Sequence, residues 1–306
     1  MSLAPVVLFV YNRPEHTAKT LESLEANQLS AESELIVFAD GAKENASQEV
    51  VEQIKKTRAV LRKKQWCGKV TINECKVNKG LAQSVIEGVS KVVDEFGKVI
   101  VLEDDMVLSP YFLKFMNDAL AVYDSNEDVA CVSGYIYPVK EKLPQTFFIK
   151  GADCWGWATW KNQWTLFEQN GLKLLKEMEE KGLSTAFDFE DAYGYTQMLK
   201  DQIEGKNSSW AIRWYASAFL KNKYCLYPGV SLVQNIGVDG SGTHSGISDK
   251  WAVNLSQKKI TVNVLPVKEN TEAKNAIIQY FRNLKKNHRS FVVALMDKVR
   301  SIFKNA

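Results

Sequence analysis

Residues 98–108 read Lys-Val-Ile-Val-Leu-Glu-Asp-Asp-Met-Val-Leu, and this stretch decides the fold. Residues 99–102 are apolar and mostly β-branched, which predicts a strand buried on both faces, as in a parallel sheet. Three carboxylates, residues 103–105, follow this strand directly. Ser109 and Pro110 then predict the start of a helix, with Ser as the N-cap and Pro in the first helical position.

The three acids, Glu103, Asp104 and Asp105, favour a divalent cation. Like charges at one strand end repel one another, and a cation removes that cost. Oxygen ligands suit Mg²⁺ or Mn²⁺, and Mg²⁺ sites commonly combine one or two carboxylates with substrate phosphates. The carboxyl end of a strand is also where an open α/β sheet binds ligands. A solvated acidic turn is the alternative reading of these residues.

The chain ahead of the acids alternates between strands and helices. The predicted strands are residues 5–11, 34–39, 69–77 and 99–102. The helices between them are predicted to begin at Pro14, after the N-cap Ser47, and at Leu81. This alternation predicts an α/β fold with an open, mostly parallel twisted sheet and helices on both faces. Further helices are predicted over 111–123, over 162–181, from Asp188 onward and over 210–220.

The amino-acid composition indicates a globular protein of a reducing compartment. The 306 residues are 45% hydrophobic and 25% charged, which is ordinary for a globular protein. An odd count of five cysteines with no CxxC argues against a disulfide scaffold or a zinc ribbon and fits a reducing cytoplasm. Residues 6–10 are too short for a signal peptide and lack its basic region, and no apolar run approaches the ~20 residues of a membrane span. We therefore expect a cytoplasmic protein.

The C-terminal residues have a basic amphipathic pattern. Apolar residues from Ile277 to Phe303 follow helical spacing. Between Lys274 and Ala306 there are eight Lys or Arg residues and one acid, so the rest of the chain carries −4 within a total of +3. A basic amphipathic helical tail predicts binding to an anionic membrane surface, which would place the protein peripherally at the inner face of the plasma membrane. Docking on the domain or on a partner subunit is the alternative, and the acidic body argues against nucleic-acid binding.

Four polar turns follow the four predicted strands: Tyr11-Asn12-Arg13, Asp40-Gly41, Asn78-Lys79-Gly80 and residues 103–105. In a parallel sheet these turns line one crevice. Arg13 and Lys79 would meet phosphate charge there, and Asp40 would accept a hydrogen bond from a base N–H. Asp105, with Asp104, would hold a metal that bridges two phosphates. Taken singly, each turn is weak evidence, because residues 40–41 also suit an ordinary turn and residues 78–80 a helix start.

Several of these segments resemble nucleotide-sugar-dependent glycosyltransferases of the GT-A fold. FVYNRPEHTAKTLESL at 9–24, FADG at 38–41, VNKGLAQSVIEG at 77–88 and VLEDDM at 101–106 resemble the start of family 2. PYFLKF at 110–115, CVSG at 131–134 and CWGWATW at 154–160 are also similar to the N-acetylglucosaminyltransferase I family. The resemblance extends over about residues 5 to 245 and is specific in combination.

This resemblance implies a UDP-sugar donor, a divalent metal (Mn²⁺ or Mg²⁺) and inversion at the anomeric carbon. Asp105 would be the direct metal ligand, with Asp104 as a second. Glu103 and Asp104 would contact the ribose or the donor sugar, and Asp40 would contact the uracil. The remaining donor-binding residues implied by the matching turns are Tyr11, Asn12, Arg13, Lys79, Gly80 and Gln83.

An inverting transfer needs a general base that takes the proton of the acceptor hydroxyl. The wider family carries an aspartate just ahead of a late helix, but residues 207–213 read Asn-Ser-Ser-Trp-Ala-Ile-Arg, without a carboxylate. We predict Asp191 and Glu190 as the substitutes, with Asp239 third. The alternative is that Glu190 and Asp191 only favour a helix N-terminus.

Two further predictions concern sugar and metal contacts. Trp155, Trp157 and Trp160 surround Gly156, and aromatic faces stack on sugar rings, so we expect Trp155 or Trp157 at the donor pocket. Packing of large aromatics in the core is the alternative. His244 lies in a Gly- and Ser-rich segment with the makeup of a mobile lid and would be a further metal or diphosphate ligand, although a lone His is more often incidental.

The sequence therefore predicts a glycosyltransferase that adds a sugar to a glycan or lipid-linked acceptor in surface polysaccharide synthesis. Residues 1–245 would form the GT-A domain, with a nucleotide-binding half (1–108) and an acceptor-binding half (109–245), and 246–306 a C-terminal extension. One alternative is a sugar nucleotidyltransferase, which predicts a Gly-rich basic loop after the first strand; residues 11–14 lack it. The other is a non-catalytic nucleotide- or glycan-binding module.

Overall fold

The computed structural model describes residues 2–240 and 249–286. The strands are β1 (Val6–Val10), β2 (Glu34–Ala39), β3 (Lys69–Glu74), β4 (Lys98–Glu103), β5 (Met106–Leu108), β6 (Val129–Ser133), β7 (Thr146–Ile149), β8 (Trp157–Trp160), β9 (Tyr224–Pro228) and β10 (Val233–Asn235). The helices are α1 (Pro14–Glu25), α2 (Gln48–Leu61), α3 (Leu81–Phe96), α4 (Phe112–Val122), α5 (Lys161–Trp164), α6 (Gly171–Glu180), α7 (Ser184–Phe187), α8 (Tyr195–Ile203), α9 (Trp210–Leu220) and α10 (residues 271–286).

Eight of these strands form one sheet in the order β3-β2-β1-β4-β8-β6-β9-β7. The first four strands are parallel, and β8 then enters antiparallel between β4 and β6. Strands β5 and β10 form a separate antiparallel pair. The strand order reverses at β1, because β2 lies on one side of it and β4 on the other. Ligands bind at such a switch point, outside the carboxyl ends of the two diverging strands.

The central strands are buried because they are apolar on both faces. Residues 99–102 of β4 are at most 1% exposed, and every residue of β1 is buried. Helix α3 covers one face of the sheet with Val85, Val89 and Val92. The predicted α/β fold, with its mostly parallel sheet and its GT-A character, is confirmed.

Three predicted helix starts or lengths are wrong. Helix α4 begins at Phe112, with Tyr111 rather than Ser109 as its N-cap; the Ser109 hydroxyl donates to the Ser256 carbonyl at 2.6 Å and accepts from the Tyr111 N–H at 3.3 Å. The helix predicted over 162–181 is two helices, α5 and α6. The Ser217 hydroxyl, which accepts from the Glu168 N–H at 3.0 Å, anchors the chain between them.

The helix predicted from Asp188 begins instead at Tyr195. Phe189, Glu190 and Asp191 have left-handed backbones, with φ of 52°, 54° and 58°. Phe189 is buried against the ring of Phe281, at a centroid distance of 5.6 Å, and the chain turns sharply to bury it. Burial of the Phe189 ring, rather than the local preference of residues 188–191 for a helix N-terminus, therefore determines the backbone conformation here.

Residues 249–286 pack on the same core as the sheet. The Tyr123 hydroxyl donates to the Asn263 carbonyl at 2.9 Å, and Phe148 forms an isolated β-bridge with Glu269. Helix α10 buries Ile277 and Phe281 completely or nearly so. Up to residue 286 the tail docks on the domain; the remainder of the predicted tail, 287–306, lies outside the described residues. In the part of the chain that the structure describes, no helix is long and apolar enough to cross a membrane.

Candidate active site

The turns after β1 and β4 meet at the switch point of the sheet. Phe9 lies opposite Glu103 in the parallel pairing of the two strands, so the residues that follow each strand emerge side by side. Arg13 Nη2 donates to Asp105 Oδ2 at 2.9 Å and forms a second, shorter bond with Asp104 Oδ1. The structure thus brings together Arg13, Asp104 and Asp105 of the predicted site.

In the acid cluster, residues 103–105, the two aspartates are buried and Glu103 is half-buried. Asp104 is 4% exposed and Asp105 is 7% exposed. Burial, and then the negative charges of its two neighbours, raises the pKa of Glu103 to about 8. Burial likewise raises the pKa of Asp104 to about 6, with Arg13 opposing that shift. Such a cluster gains strongly from a cation, and Arg13 supplies one.

One oxygen of the cluster has no partner among the residues that the structure describes. Within 2–240 and 249–286, the buried Asp105 Oδ1 accepts no hydrogen bond, whereas Asp105 Oδ2 accepts from Arg13. Buried carboxylate oxygens are rarely left in this state, because each loses the water that it would otherwise bind. Asp105 therefore offers an open, hard oxygen ligand of the kind that Mg²⁺ or Mn²⁺ prefers.

The described residues do not by themselves complete a metal cage. Across 2–240 and 249–286, no group of three or more His, Cys, Asp or Glu side chains is arranged to hold a metal ion. Mg²⁺ sites of nucleotide-dependent enzymes take several ligands from substrate phosphates and water, so one or two carboxylates suffice. Asp105 and Asp104 fit that pattern, and the predicted metal ligands stay predictions.

Strand β10 closes the site from the other side. It pairs with β5, and the Ile236 N–H donates to the Asp105 carbonyl at 2.8 Å. Gly237 comes so close that a Cβ there would lie 2.1 Å from Asp105 Oδ2. Asp239, further along, lies 3.1 Å from His16 Nε2. His244 lies outside the described residues.

Asp40 ties two of the predicted turns together. Its Oδ1 accepts from the N–H groups of Gly41 and Lys79, at 2.8 and 2.9 Å. Its Oδ2 accepts from the Asn78 amide and the Gly80 N–H, at 3.0 and 2.9 Å. In this arrangement the carboxylate holds the 78–80 turn against the end of β2. Contact with a base N–H stays a prediction.

The other predicted donor-binding side chains divide into two groups. Tyr11 and Asn12 are half-buried in the turn that carries Arg13. The side chains of Lys79 and Gln83 point instead at Glu87 on α3, each at 2.6 Å. In this arrangement the Lys79 ammonium is paired with the Glu87 carboxylate. A diphosphate would have to displace that carboxylate in order to bind the ammonium.

The tryptophans of the CWGWATW segment have different surroundings. Trp157 is 1% exposed and packs among Trp164, Trp210 and Trp214, with ring centroids 5.4–5.9 Å away. It therefore belongs to the core. Trp155 is half-buried and meets the edge of Trp251 at 6.3 Å, so it is the one that lies near the surface.

Two of the acids predicted as general base, Glu190 and Asp191, contact helix α10. Glu190 Oε1 lies 3.3 Å from Lys274 Nζ, and the Asp191 carbonyl accepts from Lys285 Nζ at 2.6 Å. Both side chains are exposed. Their catalytic role stays a prediction, and the geometry gives each of them a contact with the C-terminal helix.

Sequence reasoning missed one acid near the site. Asp153 is half-buried and accepts from the hydroxyls of Tyr137 and Tyr227, at 2.5 and 2.8 Å. A signal was present, because an aspartate two residues ahead of Trp155 breaks an otherwise apolar and aromatic segment. The tyrosines that surround it come from distant parts of the chain and could not be foreseen.

The fold and its acid-lined switch point define a GT-A type nucleotide-sugar enzyme. Residues 6–183 match the model described as Glycosyl transferase family 2, which is more than half of the chain. The chain belongs to this family and is a glycosyltransferase. A comparison with curated proteins finds no match.

Solved structures of glycosyltransferases are among those similar to this chain. TarS from S. aureus is 18% identical over 49% of this chain, with a TM-score of 0.30. The mannosyltransferase PcManGT from Pyrobaculum calidifontis, in complex with GDP-Man and Mn²⁺, is 11% identical over 71% of this chain and 69% of its own, with a TM-score of 0.37. An active-site mutant of LgtC is 14% identical over 58% of this chain and 64% of its own, with a TM-score of 0.32. The chain spans about a quarter of TarS, 24% of its length.

Proposed function

We propose that this chain is an inverting, metal-dependent glycosyltransferase that uses a UDP-sugar donor. The observation that carries the proposal is the buried Asp105 Oδ1, which has no partner in the described part of the chain and lies in an acid cluster at the switch point of the sheet. Membership of family 2 supports the use of a nucleotide sugar. Mg²⁺ or Mn²⁺, when bound, would neutralise charge on the departing diphosphate.

The residues of the site have distinct tasks in this proposal. Asp105 and Asp104 are the metal ligands, and Glu103 contacts the ribose or the donor sugar. Arg13, which now bridges the two aspartates, can turn toward the diphosphate once a metal occupies them. Asp40 holds the 78–80 turn in place, so that the turn can line the base site.

The acceptor and the setting are also part of the proposal. We infer a glycan or lipid-linked acceptor, transfer during surface polysaccharide synthesis, and a cytoplasmic location at the inner face of the plasma membrane. The net charge of +7 between Lys274 and Ala306 supports attraction to anionic lipids. Residues 1–108 would bind the nucleotide and 109–245 the acceptor.

Calorimetric titration of UDP, with Mn²⁺ and with EDTA, tests the proposal. We expect UDP to bind only with Mn²⁺, because the carboxylates otherwise repel the diphosphate. Asp105→Ala should weaken Mn²⁺-dependent binding by at least about tenfold. Asp118→Ala is the matched control, since Asp118 is a half-buried aspartate paired with Lys114 on α4. Equal UDP affinity with Mn²⁺ and with EDTA would contradict metal dependence.

Turnover separates this function from its rivals. Purified protein is incubated with Mn²⁺, a panel of UDP-sugars and p-nitrophenyl glycosides, and both UDP and the new glycoside are measured. A glycosyltransferase releases UDP, whereas a nucleotidyltransferase would exchange pyrophosphate. An anomer in the product opposite to that of the donor supports inversion, and a retained anomer would overturn it.

A further inference from the structure

Asp153 sits in a cage of tyrosine hydroxyls. Tyr137 donates to its Oδ1 and Tyr227 to its Oδ2, and Tyr195 joins the network through a hydroxyl 3.0 Å from that of Tyr137. These bonds fix the carboxylate in one orientation. The residue as a whole is half-buried.

Strand pairing directs the segment that carries Asp153 past the carboxyl end of β4. Trp157 of β8 pairs antiparallel with Val101 of β4, so the residues ahead of Trp157 run past the end of β4, where Glu103 lies. Cys154, the residue after Asp153, has a thiol close enough to both acids to feel their charge. Burial, followed by nearby charges that include Asp153 and Glu103, raises the pKa of the Cys154 thiol.

Half-buried aromatic rings extend from this point toward the surface. Trp155 meets Trp251 at 6.3 Å, Trp251 meets Tyr193 at 6.1 Å, and Tyr193 meets Tyr195 at 4.6 Å. Tyr195 leads back to Asp153 through the tyrosine network. We name these four rings the aromatic wall. Aromatic faces of this kind pack against the apolar faces of sugar rings.

We propose that the acceptor sugar lies against the aromatic wall and that Asp153 is the general base of the transfer. The inference rests on the proposed function. Asp153 takes the proton of the acceptor hydroxyl as the acceptor oxygen forms a bond to the anomeric carbon of the donor. The bond from that carbon to the diphosphate oxygen breaks, and its electron pair leaves with UDP. The proton then passes from Asp153 to solvent.

Asp153 suits this task better than the acids predicted from sequence. Glu190 and Asp191 are exposed and contact the lysines of α10. Asp239 is half-exposed and paired with His16. Burial raises the pKa of Asp153, which makes its carboxylate a stronger base, although the two tyrosine hydroxyls partly oppose that rise.

The groups that face Asp153 are neutral at pH 7. From the segment after β6 and the start of α8 they are Tyr135, Tyr137, Tyr193 and Tyr195. From α9, β9 and the segment before β8 they are Tyr215, Cys225, Tyr227 and Cys154. Burial raises the pKa of each of these groups above its ordinary value. None of these groups would therefore produce an acid limb in the pH–rate profile of the transfer. Glu103 and Asp104 also titrate, with pKa values of about 8 and about 6, so the limb is assigned to Asp153 by its shift in Tyr227→Phe.

The first test compares turnover with donor binding. UDP release from the UDP-sugar that wild type turns over is measured with Mn²⁺, with water or a p-nitrophenyl glycoside as acceptor. Asp153→Asn should lower the rate by roughly 100- to 10,000-fold, the usual contribution of a general base. UDP affinity should change by less than about twofold, a negligible free energy, because the donor does not touch the carboxylate. Asp118→Asn is the control and should match wild type.

The second test changes the pKa of Asp153 without removing its carboxylate. Tyr227→Phe keeps the buried ring and deletes one hydrogen bond that lowers the pKa of Asp153. The pKa of Asp153 should rise, so the acid limb of the pH–rate profile should move to higher pH. A purely structural role for Asp153 would lower activity at every pH and leave that limb in place.

Three results would overturn the assignment. The first is a turnover of Asp153→Asn within a factor of about ten of wild type, which is too small a loss for a base. The second is an unmoved acid limb in Tyr227→Phe. The third is loss of that limb in Asp191→Asn or Asp239→Asn while Asp153→Asn keeps it. Metal-dependent UDP binding by wild type is measured separately, so failure of the proposed function is distinguishable from failure of this inference.

Discussion

At the scale of the residue, Arg13 occupies the two carboxylates that we propose as metal ligands. Its guanidinium bonds both Asp104 and Asp105. Arg13→Gln removes this internal cation, so we expect the variant to bind Mn²⁺ more tightly without nucleotide, by roughly tenfold, or about 1.4 kcal/mol. The same change should lower stability in EDTA by roughly 3–5 kcal/mol, because two buried charges lose their partner.

Paramagnetic resonance titration of Mn²⁺ and thermal melts in EDTA measure both effects of the Arg13 change. Arg62→Gln is the control, since Arg62 is half-exposed and pairs with Glu74 at 2.6 Å on the surface. An unchanged Mn²⁺ affinity in Arg13→Gln would show that the guanidinium does not compete with the metal.

The contacts of Asp40 show which part of the site could be predicted from the sequence and which part could not. Strand periodicity predicted that Asp40, Asn78 and Asp105 would share one edge of the sheet, because each follows a strand. It did not predict that Asp40 is held by N–H groups 39 and 40 positions away, at Lys79 and Gly80. Such bonds depend on how the two turns pack against each other in the folded chain, and a local sequence pattern does not determine that packing.

At the scale of the element, the β5–β10 pair supports the acid cluster. Gly237 follows β10, and an added Cβ would lie 2.1 Å from Asp105 Oδ2 and 3.0 Å from Arg13 Nη1. Gly237→Ala must therefore push the strand away from the cluster. We expect a loss of about 1–3 kcal/mol in stability, typical of overpacking, and weaker Mn²⁺-dependent UDP binding.

Chemical denaturation and UDP titration measure the effects of Gly237→Ala. Gly194→Ala is the matched control, because the nearest atom to its added Cβ is 3.8 Å away, an ordinary contact. Unchanged UDP binding in Gly237→Ala would mean that β10 does not position Asp105.

Elements with a long local repeat were predictable, and short ones were not. Helix α3 has sixteen residues with an apolar face, and Ser47 caps α2 by accepting from the Val50 N–H at 3.3 Å, as predicted. Strand β10 has three residues and pairs with β5, which is distant from it in the sequence. Three residues carry no usable periodicity, so only the folded structure reveals this pair.

At the scale of the whole molecule, helix α10 joins the C-terminal residues to the catalytic body. Phe281 is 1% exposed, and its ring lies 4.8 Å from those of Tyr137 and Tyr193. The sequence predicted an amphipathic helix here but could not choose between a membrane and the domain, because either would bury the same apolar face. Tertiary packing decides the question for residues 271–286.

Phe281→Ala tests whether α10 is an integral part of the fold. A buried Phe replaced by Ala commonly costs about 3–5 kcal/mol, because the lost ring leaves a cavity. We expect a single cooperative urea transition with a midpoint lowered accordingly, since Phe281 belongs to the same core as the sheet. Gln279→Ala, at an exposed position of the same helix, should leave the midpoint unchanged. A loss below about 1 kcal/mol in Phe281→Ala, or a separate early transition, would instead mean that α10 detaches from the body before the sheet unfolds.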